Sequence, residues 1–194
     1  MKILIINGSP KEDGNTSTAL KIVENELIRL HVNTNWIHLG KKSVHGCIQC
    51  GFCKKENRCV FSDDICNDII DGIIQSDGVL IGSPVYYSGA NGSLCALLDR
   101  VFYATCCPRD SSLRSSAWTQ LFANKIGGAI VTQYRSGGSS ALDRIHKYFF
   151  ASQMKIASSS DFLVFPEINN AITEQDRNIL ASLGQNMAKM LTIQ

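Results

Sequence analysis

Several features are missing from this 194-residue chain, and each absence removes a class of function. No apolar run approaches the roughly 18 residues that a membrane span requires. The start, MKILIINGSP, holds four apolar residues in a row before Asn7, Gly8 and Pro10 interrupt it. A secretory leader needs a longer apolar stretch and a small-residue cleavage site, so no membrane association and a cytoplasmic setting are expected. The net charge is only +2, which excludes a general electrostatic grip on nucleic acid or acidic lipid. Charged residues make up 19% and hydrophobic ones 44%, so the polar, highly charged composition of disordered chains is absent as well. No linker, repeat or low-complexity block divides the chain, and residues 1–194 are expected to form a single domain. The four histidines, His31, His38, His45 and His146, show no ligand or triad spacing, which points to structural or solvent-exposed roles.

Against that background stand an alternation of short strands with helices, and eight cysteines. Lys2 to Ile6 is a brief β-branched run ended by Gly8 and Pro10, the pattern of a buried strand. Leu20, Val23, Leu27 and Leu30 then fall on one helix face. Val32–Leu39 reads as a second strand and Gly78–Gly82 as a third; Lys125–Thr132 gives a fourth, and a fifth lies within Lys155–Phe165. Between them, Asp63 or Asp64 is expected to cap a helix burying Ile65, Ile69, Ile70, Ile73 and Ile74. Leu94, Leu97, Leu98 and Val101 line the next helix, and Ser139 or Ser140 is expected to cap one burying Leu142, Ile145, Phe149 and Phe150. Thr173-x-x-Asp176 has the form of a capping box, opening a last helix that buries Ile179, Leu180, Leu183, Met187 and Met190. Strand and helix alternating in this way predict an α/β fold with a parallel sheet between helices. Such folds bind ligands beyond the carboxyl ends of the strands.

Two loops at those ends carry chemistry. The first, NGSPKEDGNTST at residues 7–18, offers the side chains of Ser9, Asn15, Thr16 and Ser17, a close backbone approach at Gly14, and the positive end of the following helix. A phosphate monoester fits there, with Lys11 as an added point charge; an ordinary Ser/Thr helix cap would use the same residues. The loop lacks the Gly-Lys-Ser/Thr ending of a Walker loop and the Gly-x-Gly-x-x-Gly of a dinucleotide site. The second, GSPVYYSGANGSLCALLDR at residues 82–100, is stiffened by Pro84 and places Val85, Tyr86 and Tyr87 where a flat ring can lie.

Together the two loops resemble the NADPH-dependent FMN reductase family of flavodoxin-like proteins, over roughly residues 1–165. The resemblance implies a flavodoxin-like three-layer sandwich with a five-stranded parallel sheet in the order 2-1-3-4-5, and noncovalent FMN. It also implies phosphate contacts at Ser9, Lys11, Asn15, Thr16 and Ser17, and a ring held by Pro84, Val85, Tyr86 and Tyr87 with Ser88 nearby. Gly137 and Gly138 would border the ring. One departure is Cys95, where relatives carry lysine in a Leu-Lys-x-x-x-Asp-Arg stretch.

Half of the cysteines are clustered. Cys47, Cys50, Cys53 and Cys59 follow Cys-x2-Cys-x2-Cys-x5-Cys, similar to the 4Fe–4S ligand run of ferredoxins, though there the fourth cysteine follows three residues. Structural zinc favours two Cys pairs separated by a longer loop. The motif in this position resembles that of iron–sulfur flavoproteins, a branch of the same flavin family. Three fates stay open: a 4Fe–4S cluster, metal-free redox-sensitive thiols, and zinc. Residues 41–59 carry Lys41, Lys42, Lys54, Lys55 and Arg58 against Glu56 alone, a net +4 that leaves the rest of the chain at −2. Neighbouring cations favour thiolates, although a solvated basic loop would look the same. Cys66 and Cys95 fall on predicted helices and read as core residues, whereas Cys106 and Cys107 suggest no mechanism.

The expected activity is that of an FMN oxidoreductase, passing electrons from transient NAD(P)H to a small acceptor. No nicotinamide fingerprint is present, so that cofactor would dock beside the ring. The alternative is an electron carrier in which a cluster on Cys47, Cys50, Cys53 and Cys59 links FMN to a ferredoxin-like partner; a thiol redox-sensing module ranks third. The family resemblance further implies a homodimer or homotetramer.

Overall fold

A computed structural model describes residues 1–105, 121–159, 164–166 and 172–193. Strand β1 (Lys2–Asn7) is buried along almost its whole length, as befits a continuous β-branched run with neighbours on both edges. It pairs in parallel with β2 (Asn33–His38) on one side and β3 (Gly78–Tyr86) on the other. β3 in turn pairs with β5 (Ile126–Gln133), and β4 (Gly89–Ala90) is a two-residue antiparallel addition to β3. The last position of the sheet is shared. β6 (Lys155–Ile156) pairs with the start of β5 and β7 (Val164–Pro166) with its end, both in parallel. The path β2-β1-β3-β5-β6 is thus the expected flavodoxin-like order with its fifth strand in two pieces.

Helices cover both faces. α1 (Asn15–Arg29) and α6 (Glu174–Thr192) pack together on one. On the other, α3 (Cys66–Ile74) lies beside α4 (Gly92–Thr105), and α4 meets α5 (Gly138–Ala151) where Phe102 stacks on Tyr148. A short α2 (Cys53–Glu56) sits on α4. The capping box at Thr173 and Asp176 forms as expected.

Five expectations need correction. β3 runs on through Pro84 and Val85, which were expected in a loop. On one edge of β3 the pairing with β1 stops at Gly82 and that with β4 covers only Val85 and Tyr86, so Pro84 falls in a gap there, while on the other edge it stands opposite Thr132 of β5. Phe150 is 80% exposed, because it lies one residue, about 100° of rotation, beyond Phe149 on α5. Ile74 ends α3 and is 44% exposed. Neither Ser139 nor Ser140 caps α5; Gly137 occupies that position, and Gln133 Oε1 accepts the Gly138 N–H at 2.9 Å. Neither Asp63 nor Asp64 is the N-cap of α3, a position held by Ile65, although Asp64 Oδ1, one residue earlier, accepts the Cys66 N–H at 3.0 Å.

Candidate functional site

From β1 the chain passes to β2 on one side and from β3 to β5 on the other, so the crevice beyond the end of β1, beside β3, is a switch point of the fold. Gly8 N–H donates to Gly82 O at 2.8 Å and holds the crevice closed at its base. A side chain at Gly8 would meet Leu94 Cδ2 at 2.6 Å.

The first loop is braced from within. Ser9 is buried; its N–H donates to Asn7 Oδ1 at 3.0 Å and its Oγ accepts from Lys11 N–H at 3.1 Å. His38, at the end of β2, places Nε2 2.8 Å from Ser9 O, and since a carbonyl only accepts, that nitrogen carries the proton. Ser17 Oγ accepts from Asn7 Nδ2 at 2.7 Å and donates to Glu12 O. A phosphate is an acceptor, so Ser17, its one O–H donor already committed, has its backbone N–H to offer. Thr16 Oγ1 lies 2.7 Å from Thr132 Oγ1, tying α1 to the end of β5. Gly14 caps α1 in extended conformation and no acidic residue stands in the first turn, so no carboxylate of the helix offsets its positive end. Asn15 begins the helix at that end, and Lys11 stands exposed beside it.

The second loop is a tight hairpin. Tyr86 pairs with Gly89, leaving Tyr87 and Ser88 as a two-residue turn with φ of 47° and 59°. Turns of this handedness normally use Asn and Gly, and a bulky residue there is strained by roughly 1–2 kcal/mol. Such strain is characteristic of ligand sites. Tyr87 gains no burial in return, being fully exposed. The hairpin leans on Gly137 (φ 92°), where a Cβ would lie 2.3 Å from Ser88 Cα. Residues 9–17, 84–88 and 137–138 therefore gather at the carboxyl ends of β1, β3 and β5.

Cys47, Cys50, Cys53 and Cys59 line a single small, open-mouthed pocket together with Phe61, Arg100 and Tyr103. Cys47 and Cys50 are exposed; Cys53 and Cys59 are half-buried. No three His, Cys, Asp or Glu side chains among the described residues lie close enough to hold one metal ion. The four thiols share one pocket without forming a single-ion site as they stand.

The pocket's floor is polar. Asn67 Oδ1 accepts the Cys59 N–H at 2.9 Å, and Asn67 Nδ2 donates to the carbonyls of Cys59 and Phe61, each at 3.1 Å. Arg100, from α4, donates from Nε to Cys59 Sγ at 3.1 Å and from Nη1 to His45 O at 3.2 Å, and its other bonds form a two-pronged pair with Asp64. The side chains of this pair are 1% and 2% exposed. Burial works against both charges, but the hydrogen bonds between them prevail, so Arg100 is raised and Asp64 lowered. Sequence periodicity passes over Arg100, Asp64 and Asn67. The available signal was a charged residue interrupting an apolar helix stripe, Leu97-Leu98-Asp99-Arg100-Val101-Phe102, since arginine is seldom buried unless paired.

Burial pushes the Cys66 thiol up to about 12, in favour of the neutral thiol. Cys95 is half-buried on α4. Cys106 and Cys107 lie outside the described residues. Among the described residues no helix is long and apolar enough to cross a membrane.

A family model described as NADPH-dependent FMN reductase matches residues 1–166. An iron–sulfur flavoprotein of Methanocaldococcus jannaschii is 32% identical over 163 residues, which is 83% of this chain and 78% of that protein. Another, from Methanosarcina thermophila, is 26% identical over 162 residues, covering 82% and 78% of the two chains. Among solved structures, a flavone reductase superposes with a TM-score of 0.76 at 15% identity, over 99% of this chain and 63% of that one. An archaeal flavodoxin superposes with a TM-score of 0.64 at 14% identity, over 99% of each. Identities this low establish a common fold.

Proposed function

Because the chain belongs to the NADPH-dependent FMN reductase family, we propose that it is an FMN-dependent oxidoreductase with a second redox centre, a 4Fe–4S cluster on Cys47, Cys50, Cys53 and Cys59. Its task is to relay electrons between a ferredoxin-like protein and a small acceptor. The observation that carries this reading is the convergence of all four thiols on one pocket.

The residues at the carboxyl ends of these strands fit FMN. The N-terminal turn of α1, with Ser9, Asn15, Thr16 and Ser17 and the exposed Lys11, would hold the phosphate. Pro84, Val85, Tyr86, Tyr87 and Ser88 would hold the ring, with Gly137 and Gly138 at its border; the strained, outward Tyr87 supports this assignment. When bound, FMN supplies hydride or single-electron chemistry, and the cluster supplies one electron at a time. What the chain contributes is placement: α1 offers N–H donors to an anion, Tyr87 would lie against the ring, and Arg100 and Asn67 hold Cys59 in place.

Anaerobically purified protein should contain one FMN with about four iron and four sulfide per chain, on the cluster stoichiometry. Flavin without iron would remove the electron-carrier reading. A second reading, hydride transfer from NAD(P)H to FMN, is supported by the matching family's description as NADPH-dependent. It expects flavin absorbance to bleach on mixing with NADPH or NADH. Bleaching by dithionite alone would refute it. The basic loop around the thiols suits an acidic redox partner, and a homodimer or homotetramer is the proposed assembly.

A further inference from the structure

Arg100 is among the most deeply buried charges in the fold, and the way it divides its hydrogen bonds is informative. Nη1 and Nη2 face Asp64, and Nη1 also reaches His45 O at 3.2 Å. Nε, which a purely structural pair with Asp64 would leave idle, donates to Cys59 Sγ at 3.1 Å. The Phe61 ring stands 5.1 Å from the guanidinium carbon, and His45 stacks on that ring at 4.2 Å, shielding the cation from water. Exclusion of water strengthens every charge interaction at this spot.

We propose that Arg100 is a positioning residue for the iron–sulfur centre: its Nε–H fixes the Cys59 sulfur as a ligand, and its charge, opposed from behind by Asp64, sets the reduction potential of the cluster. The inference rests on the cluster reading given above. Its physics is a matter of sign. Reduction adds one negative charge to the cluster, so a neighbouring cation and an N–H···S hydrogen bond favour the reduced form and raise the potential. The Asp64 carboxylate, on the far side of the same guanidinium, acts the other way. Arg100 and Asp64 lie 36 residues apart in the chain, yet they form one dipole whose positive end faces Cys59. Removing one end should therefore shift the potential in the opposite direction from removing the other. A pair that only held the fold together would not produce shifts of opposite sign.

The test is a redox titration of anaerobic protein, following the cluster by electron paramagnetic resonance and the flavin by absorbance. Iron and sulfide are assayed in the wild type and in R100Q, R100K and D64N. R100Q leaves Asp64 unopposed, so its cluster midpoint should fall. D64N leaves Arg100 unopposed, so its midpoint should rise. Each shift should be at least tenfold in the reduction equilibrium, about 59 mV for a one-electron couple. R100K retains the charge but not the fork, and should lie between R100Q and the wild type. Midpoints of R100Q and D64N that move together, or stay at the wild-type value, overturn the proposal while the cluster reading stands. A wild type without iron removes both. If R100Q does not fold, D64N decides alone: an unchanged or lowered midpoint refutes the role of Arg100.

Discussion

Replacing Gly137 with alanine tests whether the hairpin at Tyr87 and Ser88 and the turn before α5 work as one unit. Gly137 has φ of 92°, and a methyl group there would lie 2.3 Å from Ser88 Cα and 2.7 Å from Ser88 Cβ. Two costs follow. An L-residue in this region of backbone space is strained by about 1–2 kcal/mol. The overlap is with backbone, which cannot rotate away as a flexible side chain would, and forced overpacking costs about 1–3 kcal/mol. Together these give about 3 kcal/mol, or on the order of 6–12 °C in Tm for a protein of this size. If the hairpin shifts to relieve the overlap, Tyr87 moves with it, and the Kd for FMN should rise at least tenfold, corresponding to about 1.4 kcal/mol. Thermal melts of the apoprotein and flavin fluorescence titrations measure the two effects separately. Gly92→Ala is the control, since a methyl group there meets nothing within 4 Å; it should leave both quantities near the wild type. A G137A protein with wild-type Tm and wild-type FMN affinity would refute the argument. A lowered Tm with unchanged affinity would detach this contact from the flavin site.

Three further outcomes are expected. Tyr87→Gly relieves a residue at φ 47° that buries nothing, so the apoprotein should gain about 1 kcal/mol, or 2–4 °C in Tm, while FMN binds more weakly; a lowered Tm would contradict the strain argument. Thr173→Ala removes the side-chain half of the capping box of α6 while Asp176 still accepts the Thr173 backbone N–H, and it should cost about 1 kcal/mol in a urea melt; an unchanged midpoint would contradict the capping role. Asp64, whose pKa is lowered in the fold, contributes stability that is present above the unfolded value near 3.9 and is lost as pH falls through the folded value. Asp64→Asn should therefore flatten the acid limb of a stability–pH curve below about pH 4, and an acid limb as steep as the wild type's would show that Asp64 does not carry it.

Much of the architecture was legible from local pattern. The β-branched run at Lys2–Ile6, the stripe of Leu20, Val23 and Leu27, and the Thr173 capping box each lie within a few residues of chain and formed as expected. The limits of that reading were local too. One rotation step along α5 separates the buried Phe149 from the exposed Phe150, and a run of apolar letters does not mark that boundary. β3 outran its expected end because Pro84 met a gap in the ladder, and the gap depends on where two other strands stop and start.

The site divides along the same line. The sequence by itself determined which residue types stand together: two polar loops after strands, a tyrosine pair behind a proline, and four cysteines at a spacing similar to that of cluster ligands. Residue type and short-range spacing are local properties, so the chain states them outright. Only the tertiary structure decided that Gly137 backs onto Ser88, that Thr16 reaches Thr132, and that a guanidinium from α4 is held between Asp64 and the Cys59 sulfur. Those partners are separated by 49, 116, 36 and 41 residues, and nothing along the chain encodes such distances. They meet because parallel strands joined through helices bring the carboxyl ends of β1, β3 and β5 together and lay α4 beneath the thiol loop, where burial leaves a charge no choice but to find its partner.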